Sequence, residues 1–453
     1  MTLPTLEEHR ARIANIDAAE LDNLKYFRRH RIRDYLPGQG IYYLGDYPER
    51  YSVEPTEYDF NHLKQLAENG VQLIQVHEEW NDAVRHLGAD KFSCFDPKGM
   101  TNFVNLCHYF GIKVIPYVSS AYFHEPDPDF RESFAVTNHY NTKKYCTGCH
   151  FKYRVCSAGS PEWRDYVLPR TFQAMETYGF DGIYNDFPPY GPYKDQGLLK
   201  RPVIGSYDPE IEDLLSIIYS EVKKRGGIYK VHCGHNMPVP AVDKVYDYLW
   251  IGEGVDTSEI GVGKDYDYYV VPCQHKERLT FKDPDYYFAT VIPFLQFPLL
   301  TACGRPMGGG GLHEKDLIYY SKTGEYNFRE RIGEHRKTHP NGPYTYSLWS
   351  SIPDDPGEFS RWRRYLKLYR PMVTENSIAY IELRECANIL SPLPENIYTS
   401  MFVNEKKYLV LSNLSEAPYD LQLRENWTDR VTQLSSTTFT IQPKTMIFLQ
   451  QDN

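Results

Sequence analysis

Eight short apolar stretches recur between residues 38 and 372, most of them followed by a segment with the apolar spacing of a helix. They are GIYYLGDYP (40–48), VQLIQVHEEW (71–80), IKVIPYVSSAYF (112–123), FDGIYNDF (180–187), IYKVHCGHN (228–236), LWIGEG (249–254), YYVVPCQH (268–275) and LLTACGRP (299–306). Near-continuous apolar strands suit a parallel sheet buried on both faces. Strands alternating with helices then predict an α/β fold, a (β/α)8 TIM barrel, with an open doubly wound sheet as the competing arrangement. No G-x-G-x-x-G opens a helix after an early strand, which argues against a dinucleotide-binding sheet. One of the predicted helices, 160–179, carries Pro169 and is expected to kink or split there.

From about residue 374 the rhythm changes. SIAYIEL, TSMFVN, KYLVLSNL, YDLQL, TTFTIQ and TMIFLQ are short strands separated by turn residues. The expected organisation is an N-terminal helical extension (1–37), a catalytic barrel (38–372) and a C-terminal antiparallel β-sandwich (373–453). Irregular insertions at 124–159 and 304–356 interrupt the barrel. Long loops in a compact barrel commonly serve its site.

Composition excludes several classes. The 453-residue chain carries 50 basic and 60 acidic residues, a net charge of −10, and its one short basic run is FRRHRIR (27–33). That argues against a nucleic-acid partner. No run of about 18 apolar residues is present, so no membrane span is expected. The charged N-terminus lacks the apolar stretch of a secretory leader, which leads to an expectation of a cytoplasmic protein. Nine cysteines at irregular spacing fit reduced thiols better than a disulfide framework. Tyrosine occurs 39 times, enough to fill cores and still leave rings that stack on sugars. A small-molecule or oligosaccharide substrate is the expected partner, and homo-oligomerisation is compatible with the sequence.

In such a barrel the site lies at the C-terminal ends of the strands. Read in order, those ends offer Asp46; His77, Glu78, Glu79 and Trp80; Ser119, Ser120 and Tyr122; Asn185 and Asp186; His232, His235 and Asn236; Trp250, Glu253 and Asp256; Gln274, His275 and Arg278; and Arg305. Asp186 and Glu253 each end a strand, two strands apart. Cleavage of a glycosidic bond needs two carboxyl groups, one at the oxocarbenium-like carbon and one on the leaving oxygen. Asp256 is the alternative acid. The simpler readings are a capping carboxylate for Asp186 and a partner of Arg278 for Glu253. No Ser-His-Asp arrangement or Gly-x-Ser-x-Gly elbow is present.

FDGIYNDF, followed two strands later by DYLWIGEGVD, resembles the retaining α-glycosidase clan that includes the α-galactosidases and α-glucosidases. CSAGSPEWRDYV (156–167) resembles the stretch that many carbohydrate-active barrels carry before strand four. The resemblance implies a nucleophile at Asp186, an acid/base at Glu253 and a β-domain after the barrel. It departs from the clan at Tyr184 and Asn185, where Trp or Lys is common, and at Glu253, where aspartate is usual. Asp46, His77, Glu78, Glu79, His232, Asn236, Asp256 and Arg278 would then bind sugar hydroxyls. Trp80, Tyr122, Tyr190 and Trp250 would stack on the ring.

Cys146, Cys149, His150 and Cys156 offer one C-x-x-C and an imidazole, a set able to hold a structural zinc. Free thiols are the default, and no cofactor is expected. MGGGG (307–311) lacks the Lys-Ser/Thr of a P-loop and reads as a lid. The function expected is a retaining α-glycoside hydrolase. The alternatives are a metal-dependent barrel hydrolase or lyase built on the His/Glu ring, and a catalytically silent carbohydrate-binding barrel.

Overall fold

A computed structural model of the chain describes residues 5–21, 24–44, 52–76, 80, 92–94, 96–125, 127–135, 153–186, 209–232, 244–251, 267–272, 284–305 and 358–451. The chain opens with helix α1 (Leu6–Leu21) and strand β1 (Lys25–Arg31). The strand–helix alternation begins at β2 (Gln39–Tyr43), α2 (Glu57–Glu68), β3 (Leu73–Val76), α3 (Pro97–Tyr109) and β4 (Lys113–Ser119). A small hairpin-like pair, β5 (Tyr122–His124) and β6 (Tyr153–Val155), precedes α4 (Pro161–Tyr178) and β7 (Gly182–Asp186). Then come α5 (Pro209–Lys224), β8 (Ile228–His232), β9 (Tyr248–Ile251), β10 (Tyr269–Pro272), α6 (Pro284–Val291), β11 (Leu300–Gly304) and α7 (Glu358–Tyr369).

Each of the eight apolar stretches supplies one strand of a single sheet, ordered β10-β9-β8-β7-β4-β3-β2-β11. Every described neighbouring pair is parallel. The two ends of that order meet where the Leu299 N–H donates to the Pro272 carbonyl at 2.7 Å. The sheet is therefore curled into a TIM barrel. Helix starts follow local chemistry: Asp96 and Ser160 accept from Gly99 and Trp163 N–H, each with a proline at the first turn. Helix α4 runs through Pro169 without splitting there. Asp165, whose carbonyl loses its partner at the proline, is exposed, so water can satisfy it. Gly182 is required where β7 meets β8, because a Cβ there would lie 1.9 Å from the Ile228 oxygen.

Tyrosines seal the N-terminal end of the barrel. The Tyr248 hydroxyl donates to the Asp34 carbonyl at 3.0 Å and accepts from Leu36 N–H at 2.9 Å. The Tyr269 hydroxyl donates to the Arg33 carbonyl at 2.9 Å and accepts from Arg33 N–H at 3.0 Å. Tyr35 stacks on Tyr269 with ring centres 4.0 Å apart. The segment 33–36 is thus clamped across the barrel floor.

The C-terminal strands are β12 (Ile378–Glu385), β13 (Ile397–Val403), β14 (Lys407–Asn413), β15 (Tyr419–Asp429), β16 (Ser435–Ile441) and β17 (Thr445–Gln451). With β1 they form a seven-stranded antiparallel sheet, β1-β12-β13-β14-β17-β15-β16. Residues 388–391 run back along β15, through Leu390 N–H to the Gln422 carbonyl and Arg424 N–H to the Asn388 carbonyl. Strand period then sorts the side chains. Tyr380, Met401, Leu409 and Leu449 share one core cluster with Leu421, Leu423 and Trp427 of β15 and Ile441 of β16. Ile381, Phe402, Val410 and Phe448 face the barrel and join its core.

The N-terminal region departs from the helical expectation. Among the described residues of 1–37, Leu6–Leu21 is helical, whereas Lys25–Arg31 pairs antiparallel with β12. Its sequence KYFRRHR buries only His30, so it lacks an apolar run. Basic side chains are what an edge strand uses to stay unpaired on its outer side.

Two stability predictions follow from buried charge. Asp59 is wholly enclosed; it accepts from Arg305 Nε at 2.8 Å and from the Tyr42 hydroxyl at 2.7 Å. Burial alone would raise its carboxyl, but the Arg305 hydrogen bond and charge outweigh that and hold it below the ordinary value. Arg305→Met should cost about 3–5 kcal/mol in urea unfolding, because it strands a buried carboxylate. His30 is buried beside Arg28, and desolvation first, then the Arg28 charge, push its pKa down to about 4 from 6.5. Arg28 and Lys244 oppose its proton, and Asp267 favours it. The unfolded chain therefore binds a proton that the folded chain refuses. This contribution is complete above pH 6.5 and is lost as pH falls toward 4. The stability gained between those pH values should be smaller in His30→Gln by about 3 kcal/mol.

Candidate functional site

Asp186 is the last residue of β7, the fourth barrel strand. Register carries its level across the sheet: Ser119 on β4 pairs with Asp186, Asp186 with His232 on β8, and His232 with Trp250 on β9. One level below, Tyr117, Tyr184, Lys230, Tyr248 and Tyr269 stand side by side. Both levels have the same parity, so these side chains share a face of the sheet.

The carboxylate of Asp186 is 6% exposed and fully engaged. The Tyr117 hydroxyl donates to Oδ2 at 2.7 Å. His232 Nδ1 lies 2.6 Å from Oδ1. A carboxylate only accepts, so Nδ1 carries the hydrogen of this contact. The Tyr184 hydroxyl lies 3.5 Å from Oδ1, a weak third contact. Trp250 meets His232 edge-on with ring centres 3.8 Å apart, and Tyr184 meets Trp250 at 5.9 Å. Hydrogen bonds from two donors and rigid aromatic walls leave the carboxylate one orientation.

Asn185 points to the opposite face and is structural. Its amide donates to the Tyr229 hydroxyl and the Ser120 hydroxyl at 2.8 Å each, and its oxygen accepts from Ser120 N–H at 3.0 Å. The Trp163 indole N–H closes this network on the Ser120 carbonyl at 2.9 Å. The SPEWR stretch thus braces the strand ends from outside the barrel.

The structure brings together Asp186, His232 and Trp250 of the residues expected at the site. Trp80 is a correction. Its indole N–H donates to the Tyr117 carbonyl at 2.6 Å, and its ring packs on Tyr178 and Phe180 at 5.8 and 5.5 Å. It is wholly enclosed, so no face is left for a sugar. Tyr122 is buried in β5, where it pairs with β6 rather than standing open. Arg305 is spent on Asp59. Asp46, His77, Glu78, Glu79, Tyr190, Asn236, Glu253, Asp256 and Arg278 lie outside the described residues, as do Cys146, Cys149, His150 and the MGGGG stretch. Cys156 is buried, and desolvation drives its thiol well above the ordinary value, away from the thiolate a zinc would need. Among the described residues no group of three or more His, Cys, Asp or Glu side chains is placed to hold a metal.

Tyr117, Tyr184 and Lys230 were not among the residues the strand ends pointed to. Each sits two residues inside a strand end, at the parity of Ser119, Asp186 and His232. Stepping back by two from each end would have found them.

No family model matches the sequence, and no curated protein matches it. Solved structures do share the fold. One is a noncanonic maltogenic α-amylase, AmyB, from Thermotoga neapolitana, at 12% identity and TM-score 0.55, covering 92% of this chain and 99% of that one. A second is an α-amylase from Geobacillus thermoleovorans, solved with acarbose, at 8% identity and TM-score 0.56, covering 93% and 100%. A third is a variant of the α-galactosidase AgaA from Geobacillus stearothermophilus, solved with stachyose, at 12% identity and TM-score 0.50, covering 95% of this chain and 58% of that one. At these identities the likeness is one of fold.

Proposed function

We propose that this chain is a retaining glycoside hydrolase that cleaves an α-linked sugar. The observation that carries the reading is Asp186: a carboxylate at the C-terminal end of the fourth barrel strand, held by Tyr117 and His232. The barrel with an antiparallel sheet behind it, a fold shared with structures described as α-amylases and an α-galactosidase, supports it.

In this mechanism Asp186 attacks the anomeric carbon and forms a glycosyl ester as the C–O bond to the leaving group breaks. Glu253 gives its proton to the departing oxygen. Water then attacks the same carbon, Glu253 takes the water's proton, and the ester bond returns its electron pair to Asp186. Tyr117 and His232 donate to the carboxylate and aim it. His232 is also assigned to a sugar hydroxyl. Asp46, His77, Glu78, Glu79, Asn236, Asp256 and Arg278 are assigned to the remaining hydroxyls, and Tyr190 to the ring face. Trp250 serves as the wall behind His232. Residues 38–372 form the catalytic unit, with 373–453 completing the sheet behind it. The five cysteines among the described residues are buried and none is in a described disulfide, which suits a cytoplasmic enzyme.

Asp186→Ala should lower turnover of an activated aryl α-glycoside by a factor on the order of 10³ or more. A fluorinated glycosyl donor should label Asp186, as read by peptide mass mapping; a label on another carboxylate would move the nucleophile. Glu253→Ala should slow substrates with poor leaving groups far more than those with good ones. If Asp256→Ala shows that pattern instead, Asp256 is the acid. Tyr117→Phe removes one hydrogen bond to a charged group, so kcat should fall about 10- to 100-fold with KM little changed, whereas His232→Ala should lower kcat and raise KM as well.

A further inference from the structure

A concavity lies at the seam between α7 and the C-terminal sheet. It has a volume of about 620 Å³ and is lined by Arg364, Lys367, Arg430, Asp285, Tyr365 and Phe448, among others. That volume falls within the usual range for small-ligand clefts, about 300–1,000 Å³.

Its charge is unbalanced. Three cations face one carboxylate, and Asp285 is already shared: Arg364 reaches it at 2.6 Å, Arg361 at 3.7 Å and the Tyr365 hydroxyl at 2.9 Å. Among the described residues neither Arg430 nor Lys367 has a carboxylate within ion-pair distance. Lys367 is exposed at the rim. Arg430 is half-buried; its Nη1 donates to the Leu368 carbonyl near the end of α7, and its guanidinium lies over the Tyr408 ring at 5.0 Å. Its backbone N–H is held by the Phe448 carbonyl at 2.9 Å. The carbonyl and the ring fix the guanidinium but do not neutralise it. Burial lowers its pKa, the sign of a cation short of compensation.

We infer that this seam binds a small organic oxyanion, a carboxylate or phosphate carried on a monosaccharide-sized body. The guanidinium of Arg430 takes the oxyanion, for which its planar fork is suited. Lys367 adds a second charge from the rim. Tyr365 and Phe448, whose ring centres lie 6.3 Å apart, wall the body of the ligand. A molecule held there bridges α7 to the strands β15 and β17, so it stabilises the contact between barrel and sheet. This inference does not depend on the glycosidase reading.

The test is calorimetric titration of the full chain with glucuronate, glucose 6-phosphate, inorganic phosphate and glucose, at low and high salt. One or both of the acidic sugars should bind saturably, more weakly at high salt, and should raise the melting temperature. Which of the two binds identifies the oxyanion as carboxylate or phosphate. Lys367→Glu is an exposed substitution that leaves the fold intact, and it should weaken binding about tenfold or more. Arg430→Gln should abolish it. The assignment is overturned if neither acidic sugar binds at concentrations up to about 10 mM. It is equally overturned if glucose binds as well as they do, or if phosphate alone binds as tightly as its sugar ester. Binding that survives Lys367→Glu unchanged would also place the ligand elsewhere.

Discussion

Three parallel strands held in register build the described part of the barrel mouth. Tyr117 on β4, Asp186 on β7 and His232 on β8 meet only because Ser119, Asp186 and His232 are paired across those strands. A slip of one residue would turn each of these side chains to the opposite face. The carboxylate would then lose both donors at once. An enclosed carboxylate without donors is strongly disfavoured, so register and site stabilise each other. The opposite-facing network of Asn185, Ser120, Tyr229 and Trp163 adds a second lock on the same alignment.

Much of this architecture was legible because buried parallel strands leave an apolar trace. All eight barrel strands and the six C-terminal strands fall where such traces stand. The strand β1 left none, since an edge strand facing solvent is built from Lys25, Arg29 and Arg31. Its partner, β12, lies some 350 residues away, and nothing local announces such a pairing. Asp186 could be picked out because a carboxylate ending an apolar run is unusual. Trp80 could not be judged by the same sign. A strand end marks where a residue sits along the strand but not whether it turns into the barrel or packs behind it. Trp80 packs behind, on Tyr178 and Phe180.

The tyrosine content has a largely structural explanation. Tyr35, Tyr248 and Tyr269 close the barrel floor, and the Tyr35 hydroxyl lies 3.3 Å from that of Tyr369. A tyrosine suits that place because its ring fills volume while its hydroxyl satisfies the backbone of a crossing segment. Segment 33–36 needs such partners, having left the antiparallel sheet at β1 without yet entering the barrel at β2. These four phenol groups therefore serve the joint between the two sheets.

Lys230 shows how the barrel tolerates charge beneath its site. Its side chain is enclosed, with Nζ 3.0 Å from Gln39 Oε1 and 5.9 Å from the centre of the Tyr184 ring. Tyr184 in turn lies between that ammonium and Asp186, its hydroxyl 3.5 Å from Oδ1. A lone buried ammonium or a lone buried carboxylate would each cost several kcal/mol, on the order of the whole stability of many domains. The two groups stand one level apart on neighbouring strands, beside the Tyr184 ring, and do not form a direct pair. A direct pair would occupy the oxygens of Asp186 from below. Separation leaves the carboxylate to the donors beside it, Tyr117 and His232, and keeps its orientation toward the open end of the strands.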